Sequence, residues 1–129
     1  MFDLVDDDRS QKLINAFAEA QKPVSAVCHG PVVFVNVKSS GKSLLSGATV
    51  TGFSNTEEDQ VQLSSLMPFM LEDRLNEVSG GGYVKADQPW GEKVVVSKTA
   101  GGATLITGQN PASAAGVGQE ILKALGVEA

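Results

Sequence analysis

The chain has 129 residues, 42% of them hydrophobic and 19% charged, enough for one small domain with a modest core. A formal net charge of −5, with no basic stripe and no aromatic–basic interleaving, argues against nucleic acid as a partner. No apolar stretch nears the roughly 20 residues of a membrane helix, the N-terminus has no signal-peptide pattern, and one cysteine permits no internal disulfide; a cytoplasmic protein in a reducing compartment is expected.

In chain order, the acidic run Asp6-Asp7-Asp8 stands where carboxylates cap a helix and favour its dipole. The spacing of Leu13, Ile14, Phe17 and Ala18 predicts an amphipathic helix over 9–21. Lys22-Pro23 ends it, and Pro23–Val27 reads as a strand running into Cys28-His29-Gly30. Pro31 to Val37 is apolar on nearly all sides and is expected to be a buried helix. Ser39–Ser43 is a turn; it lacks the first glycine of a phosphate-binding loop. Ala48–Thr51 is a short strand closed by Gly52, and Ser54 caps a helical run with Glu57, Glu58, Asp59, Val61, Leu63 and Leu66. Pro68 opens a further helix, with Phe69, Met70, Leu71, Leu75 and Val78 inward, which the glycine triplet 80–82 stops. Tyr83–Ala86, Lys93–Ser97 and Thr104–Thr107 read as strands. Asn110 as N-cap and Pro111 in the first turn begin the last helix, whose stripe is Ile121, Leu122 and Leu125. Short β-rich runs alternating with helices predict an α/β layered domain, with residues 1–129 as a single unit without repeat or linker.

The chemistry concentrates at residues 26–30. A β-branched run ends abruptly in the one cysteine, followed by the one histidine and then by Gly30-Pro31. This is the pattern of a nucleophile elbow with cysteine in place of serine; the small residues Ala26 and Gly30 let strand and helix approach at a sharp turn. A cysteine at a helix N-terminus is expected to have a lowered pKa and a raised thiolate fraction. Such a nucleophile needs a base, an orienting carboxylate and oxyanion donors. His29 is the available imidazole, and the backbone N–H groups of His29 and Gly30 are the natural oxyanion donors. For the carboxylate, Glu57, Glu58 and Asp59 are all candidates, as are roles for them as solvated first-turn residues. Cys28 and His29 cannot alone supply four zinc ligands, so no structural zinc site is expected.

Three segments, Ala26-Val27-Cys28-His29-Gly30-Pro31, then Val50 through Glu58, then Leu105 through Ser113 with its Gln109-Asn110-Pro111-Ala112-Ser113 run, together resemble the ThiJ/PfpI superfamily. Within it, the chain is most similar to the glyoxalase III and heat-shock chaperone branch. The resemblance implies the class I glutamine-amidotransferase-like fold, a flavodoxin-like three-layer α/β sandwich with a mostly parallel sheet. It also implies Cys28 as nucleophile, His29 as its partner, and Glu58 as the triad carboxylate, with Glu57 the competing choice one residue away. Family members carry a further N-terminal segment that supplies the first strands, a Gly-Gly-His-Gly loop and a glutamate bonded to the cysteine. The chain therefore resembles the C-terminal half alone, with the N-terminal strands missing. The expected activity is conversion of methylglyoxal or glyoxal to a 2-hydroxy acid without cofactor, on a small aldehyde, in a homodimer. The alternatives are a stress-associated holdase, a cysteine peptidase or amidase, and a truncated fragment without activity of its own.

Overall fold

The structure, a computed structural model, describes residues 1–127. It is an α/β fold. Helix α1 (Asp8–Glu19) leads to strand β1 (Val24–Val27), and a two-stranded hairpin, β2 (Lys38–Ser39) and β3 (Lys42–Ser43), follows. Helices α2 (Asn55–Gln60) and α3 (Leu71–Ser79) precede β4 (Val94–Lys98) and β5 (Thr104–Gly108), and α4 (Ala114–Ala124) closes the chain. Among the described residues the main sheet has the order β1-β5-β4, with β1 and β5 parallel and β4 and β5 antiparallel. Among the described residues the sheet is thus mixed, with one parallel and one antiparallel pairing.

The helix starts follow local chemistry. Asp7 caps α1, its side chain accepting from the Ser10 N–H at 2.9 Å, while Asp6 accepts from Asn36 and Asp8 pairs with Lys12. Ser54 and Glu57 form a reciprocal capping box at α2. Helix α3 ends at Gly80 in the left-handed region, φ 79°, with its N–H bonded to the Asn76 and Glu77 carbonyls. At the hairpin, Ser40 and Gly41 both have positive φ, the twist a two-residue β-turn requires.

Several elements differ from the sequence expectation. Residues 31–37 do not form an α-helix; a 3-10 turn over Gly30–Phe34 is all that forms. The run Val32, Val33, Val35 loses side-chain freedom in a helix, and Pro31, Val32, Phe34, Val35 and Val37 are instead buried as packed turn residues. The expected strands 48–51 and 83–86 reduce to one parallel bridge, Val50 to Tyr83. Helix α2 stops at Gln60 because Gln62 turns to φ 61°, leaving Val61, Leu63 and Leu66 exposed rather than on a buried stripe. Helix α3 starts at Leu71, three residues after Pro68. Asn110 makes no side-chain cap; a 3-10 turn over Pro111–Ser113 precedes α4. The stripes of the first and last helices are poorly covered: Ala18 is buried and Ile121 half-buried, while Leu13, Phe17, Leu122 and Leu125 are exposed, and the last helix buries Val117 instead.

The core sits between sheet and helices, around Phe34, Leu44, Leu45, Val50, Leu75 and Leu105, each at most 1% exposed. At about 25 cal/mol per Å² of apolar surface, each such side chain contributes roughly 1.5–3 kcal/mol. That packing anchors the carboxyl ends of β1 and β5 side by side, where Val27 pairs with Gly108. In open α/β sheets, sites form beyond such ends.

Candidate active site

Cys28 follows β1 directly and stands in the left-handed region at φ 65°, a conformation a residue with a Cβ adopts only under constraint. Two backbone bonds supply the constraint. The Cys28 N–H donates to the Gly108 carbonyl at 2.9 Å, and the Phe53 N–H donates to the Cys28 carbonyl at 2.9 Å. Small residues make the turn possible. A Cβ on Gly30 would stand 3.2 Å from the Ala26 Cβ, and one on Gly52 would meet Leu75 Cδ1 at 2.8 Å and the Cys28 carbonyl oxygen at 3.4 Å. Gly52 is held from the other side by Tyr83, whose hydroxyl donates to its carbonyl at 2.8 Å.

The turn brings His29 back over the sulfur. Cys28 Sγ lies 3.7 Å from His29 Nδ1, within reach for a sulfur contact. His29 Nε2 lies 2.6 Å from Glu58 Oε2. With Glu58 accepting as a carboxylate, Nε2 carries the hydrogen and Nδ1 is the lone-pair nitrogen facing the thiol. Glu58 is 3% exposed while the His29 ring stays about one-third exposed, so the carboxylate side of the pair is shielded from water, where charge interactions strengthen, and the ring keeps access to solvent. The His29 ring also packs on Phe53, centroids 4.4 Å apart, and Phe53 meets Trp90 edge-on at 5.4 Å.

Burial pushes the Cys28 thiol above its ordinary value; the His29 N–H directed at the sulfur opposes this, and the charges of Glu57 and Glu58 add to the rise. The expectation of a lowered pKa is therefore corrected. Its premise was a helix at residues 31–37, but a five-residue 3-10 turn has little dipole to offer, and two carboxylates lie close by.

Cys28, His29 and Glu58 come together. The His29 amide, directed at the sulfur, and the Gly30 amide lie at the start of the 3-10 turn. Asp59 is exposed and bonds Ser64, so it does not reach the site. Glu57 points elsewhere. Consecutive helix residues diverge by more than a quarter turn at 3.6 residues per turn, and Glu57 lies fully buried, taking hydrogen bonds from Ser54, Gln109, Asn110 and Trp90. Burial alone would raise its carboxyl, but the bonds from Asn110, Gln109, Ser54 and Trp90 outweigh it and hold the group below the usual carboxylate range. Sequence reasoning passed over Phe53, Trp90, Gln109 and Asn110 as parts of the site. The Ser-x-x-Glu spacing from Ser54 to Glu57 was the available signal, since a capping box commits Glu57 and leaves Glu58 free.

A groove of about 350 Å³ opens against His29 and Gly30, its opposite wall formed by Met1–Leu4. No group of three or more His, Cys, Asp or Glu residues with metal-binding geometry occurs among the described residues, and no helix among them is long and apolar enough to cross a membrane.

No family model matches the chain. Curated relatives do. The chain is 32% identical over 133 residues to a probable glutathione-independent glyoxalase of Schizosaccharomyces pombe, which covers 97% of this chain and 49% of that protein. It is 28% identical over 129 residues to glyoxalase 3 of Candida albicans, covering 96% of this chain and 52% of the relative. Solved structures agree. The Francisella tularensis Rapid Encystment Protein superposes with a TM-score of 0.85 at 32% identity, over 96% of this chain and 52% of that one. Glyoxalase III from Candida albicans superposes at 0.84 and 28% identity, over 95% and 52%. The chain spans about half the length of the curated relatives it matches. On sequence and fold together, the chain is a homologue of glyoxalase III proteins of the ThiJ/PfpI superfamily, matched over about half of their length.

Proposed function

We propose that Cys28, His29 and Glu58 form the reacting centre of a glutathione-independent glyoxalase that converts methylglyoxal or glyoxal to the 2-hydroxy acid. The observation that carries this is the contact series from Sγ to Nδ1 at 3.7 Å and from Nε2 to Glu58 at 2.6 Å, at the carboxyl end of β1. The glyoxalase names of the relatives support the choice of substrate.

In this scheme His29 Nδ1 takes the thiol proton, and Glu58 stabilises the imidazolium that results. The thiolate adds to the aldehyde carbon of methylglyoxal, and its oxygen takes a proton to give a hemithioacetal. The developing oxyanion is received by the His29 and Gly30 N–H groups. The carbon-bound proton then leaves that carbon and a proton is returned to the neighbouring carbonyl carbon, through an enediolate, yielding a thioester. Water cleaves the thioester to lactate and regenerates the thiol. Overall one water is consumed, with no net oxidation and no resident cofactor. Positioned proton transfer contributes roughly 10²–10⁴-fold and an oxyanion donor about 10²–10³-fold.

The finer architecture belongs to the same proposal: residues 1–129 as part of one flavodoxin-like sandwich, with the remaining strands and a wall of the pocket supplied by residues beyond the matched half, in a cytoplasmic homodimer. The similarity to solved structures over about half their length supports this. The test measures methylglyoxal loss and lactate appearance with the chain alone, and with the chain fused to the unmatched portion of the Candida glyoxalase. Cys28→Ser is expected to abolish turnover in either form. Turnover that survives that substitution refutes the assignment.

A holdase role has one observation in its favour: Leu13 and Phe17 on α1, and Leu122 and Leu125 on α4, are exposed apolar side chains. Cys28→Ser should leave suppression of client aggregation intact under this reading, which separates it from the enzymatic one.

A further inference from the structure

We infer that Glu57 is a positioning residue: its buried carboxylate ties the start of α2, the end of β5 and the Trp90 loop into a brace that holds the His29 ring against Glu58. The inference rests on the proposed role of Cys28, His29 and Glu58.

Five donors converge on this one group. Oε1 accepts from the Ser54 N–H at 3.0 Å, the Ser54 hydroxyl at 2.9 Å and Gln109 Nε2 at 3.0 Å. Oε2 accepts from Asn110 Nδ2 at 2.9 Å and the Trp90 N–H at 2.8 Å. These donors come from three separate segments of chain, more than a local helix cap needs. Two routes lead from the carboxylate to His29. Through the backbone, Glu57 fixes the first turn of α2 and with it the direction of the adjacent Glu58. Through the rings, it holds Trp90, itself at φ 67°, whose indole meets Phe53, which packs on His29 at 4.4 Å. The Trp90 indole N–H also donates to Gln60 on α2, closing the frame. His29 is thus set from two sides, by a carboxylate on Nε2 and by an aromatic face. Burying a carboxylate with five donors is costly unless each is satisfied. A capping box could have been built at lower cost on an exposed Glu.

The chain contains one histidine and one cysteine, so both readouts are unambiguous. The experiment compares wild type, Glu57→Gln, Trp90→Gly and Glu58→Leu. It follows the His29 ring N–H proton by NMR of protein labelled with ¹⁵N-histidine, and the rate of Cys28 alkylation by iodoacetamide at pH 7. In wild type the hydrogen-bonded ring proton is expected far downfield. Glu57→Gln and Trp90→Gly are each expected to lose or broaden that signal and to slow alkylation at least threefold. The sign separates positioning from simple electrostatics. Removing the Glu57 charge alone would favour the thiolate and speed alkylation in Glu57→Gln, with no change in Trp90→Gly; that result overturns the inference. Trp90 is exposed and in a conformation glycine prefers, so Trp90→Gly decides the matter should Glu57→Gln fail to fold. If Glu58→Leu loses the proton signal while both brace variants keep it at wild-type alkylation rates, the brace is refuted and the reacting centre stands. If Glu58→Leu keeps the signal, the His29–Glu58 pair does not form in solution, and both the proposed function and the brace fall.

Discussion

The turn at Cys28 stores backbone strain, and that strain is measurable by comparing Cys28→Ala with Cys28→Gly. Both substitutions remove the sulfur, so the difference between them isolates the Cβ at φ 65°. A left-handed conformation costs a residue with a Cβ roughly 1–2 kcal/mol. Glycine escapes that cost but loses about 0.4–1 kcal/mol more chain entropy on folding than alanine. The net difference favours glycine by about 1 kcal/mol, or roughly 4 °C in Tm for a domain of this size. The bonds from Cys28 N–H to Gly108 and from Phe53 N–H to Cys28, both 2.9 Å, hold the same backbone in either variant. Urea titration and scanning calorimetry at neutral pH give the comparison directly. If Cys28→Gly is the less stable of the two, the elbow is not strained and the geometric account of why the sulfur is presented at this turn fails.

Because burial and the Glu57 and Glu58 charges raise the Cys28 thiol, its alkylation should rise with pH through a midpoint above the free value of about 8.5; a midpoint below pH 7 would contradict the site's electrostatics. By linkage, a thiol raised in the folded state favours folding below its unfolded pKa, and that contribution is lost as pH climbs through the folded value. Stability should fall in that alkaline window in wild type and less so in Cys28→Ala. Burial and the Glu72 charge likewise lift the Tyr83 hydroxyl well above its ordinary value, so Tyr83→Phe should reduce the stability loss above about pH 10, while costing about 1 kcal/mol at neutral pH for the lost bond to Gly52. Glu57 runs the opposite way: its lowered carboxyl stabilises the fold above the ordinary carboxylate range and that contribution is lost as pH falls through the folded value, so acid titration of Glu57→Gln should show a shallower decline. Finally, a Cβ on Gly82 would sit 1.9 Å from the Ala48 carbonyl oxygen, whereas one on Gly101 meets nothing within 4 Å. Gly82→Ala should cost about 3 kcal/mol or more and Gly101→Ala less than about 0.5 kcal/mol, measured by urea unfolding.

Cys28, His29 and the Glu57–Glu58 pair were legible in the linear chain because each announces itself locally: a strand that ends in a reactive side chain, small residues two positions to either side, and a cap ahead of acidic residues. So were Asp7 as a cap, Gly80 as a stop and the α/β alternation, all set by interactions within a few positions. What lay beyond that range did not show. The choice of Glu58 over Glu57, already favoured by the resemblance, is held in place by the rotation of α2, which Gln109 and Asn110 fix from more than 50 residues away. The thiol's pKa depends on how deeply the sulfur sits and which charges surround it, and local pattern misread its direction. The valine run after Pro31 looked helical because apolarity alone does not distinguish a buried helix from a buried turn. Residue types and short spacings prescribed the chemistry available to this chain. Orientation, burial and field are sums over groups distant in sequence, so packing alone decided which atoms meet and in which direction the buried thiol and carboxyl are shifted.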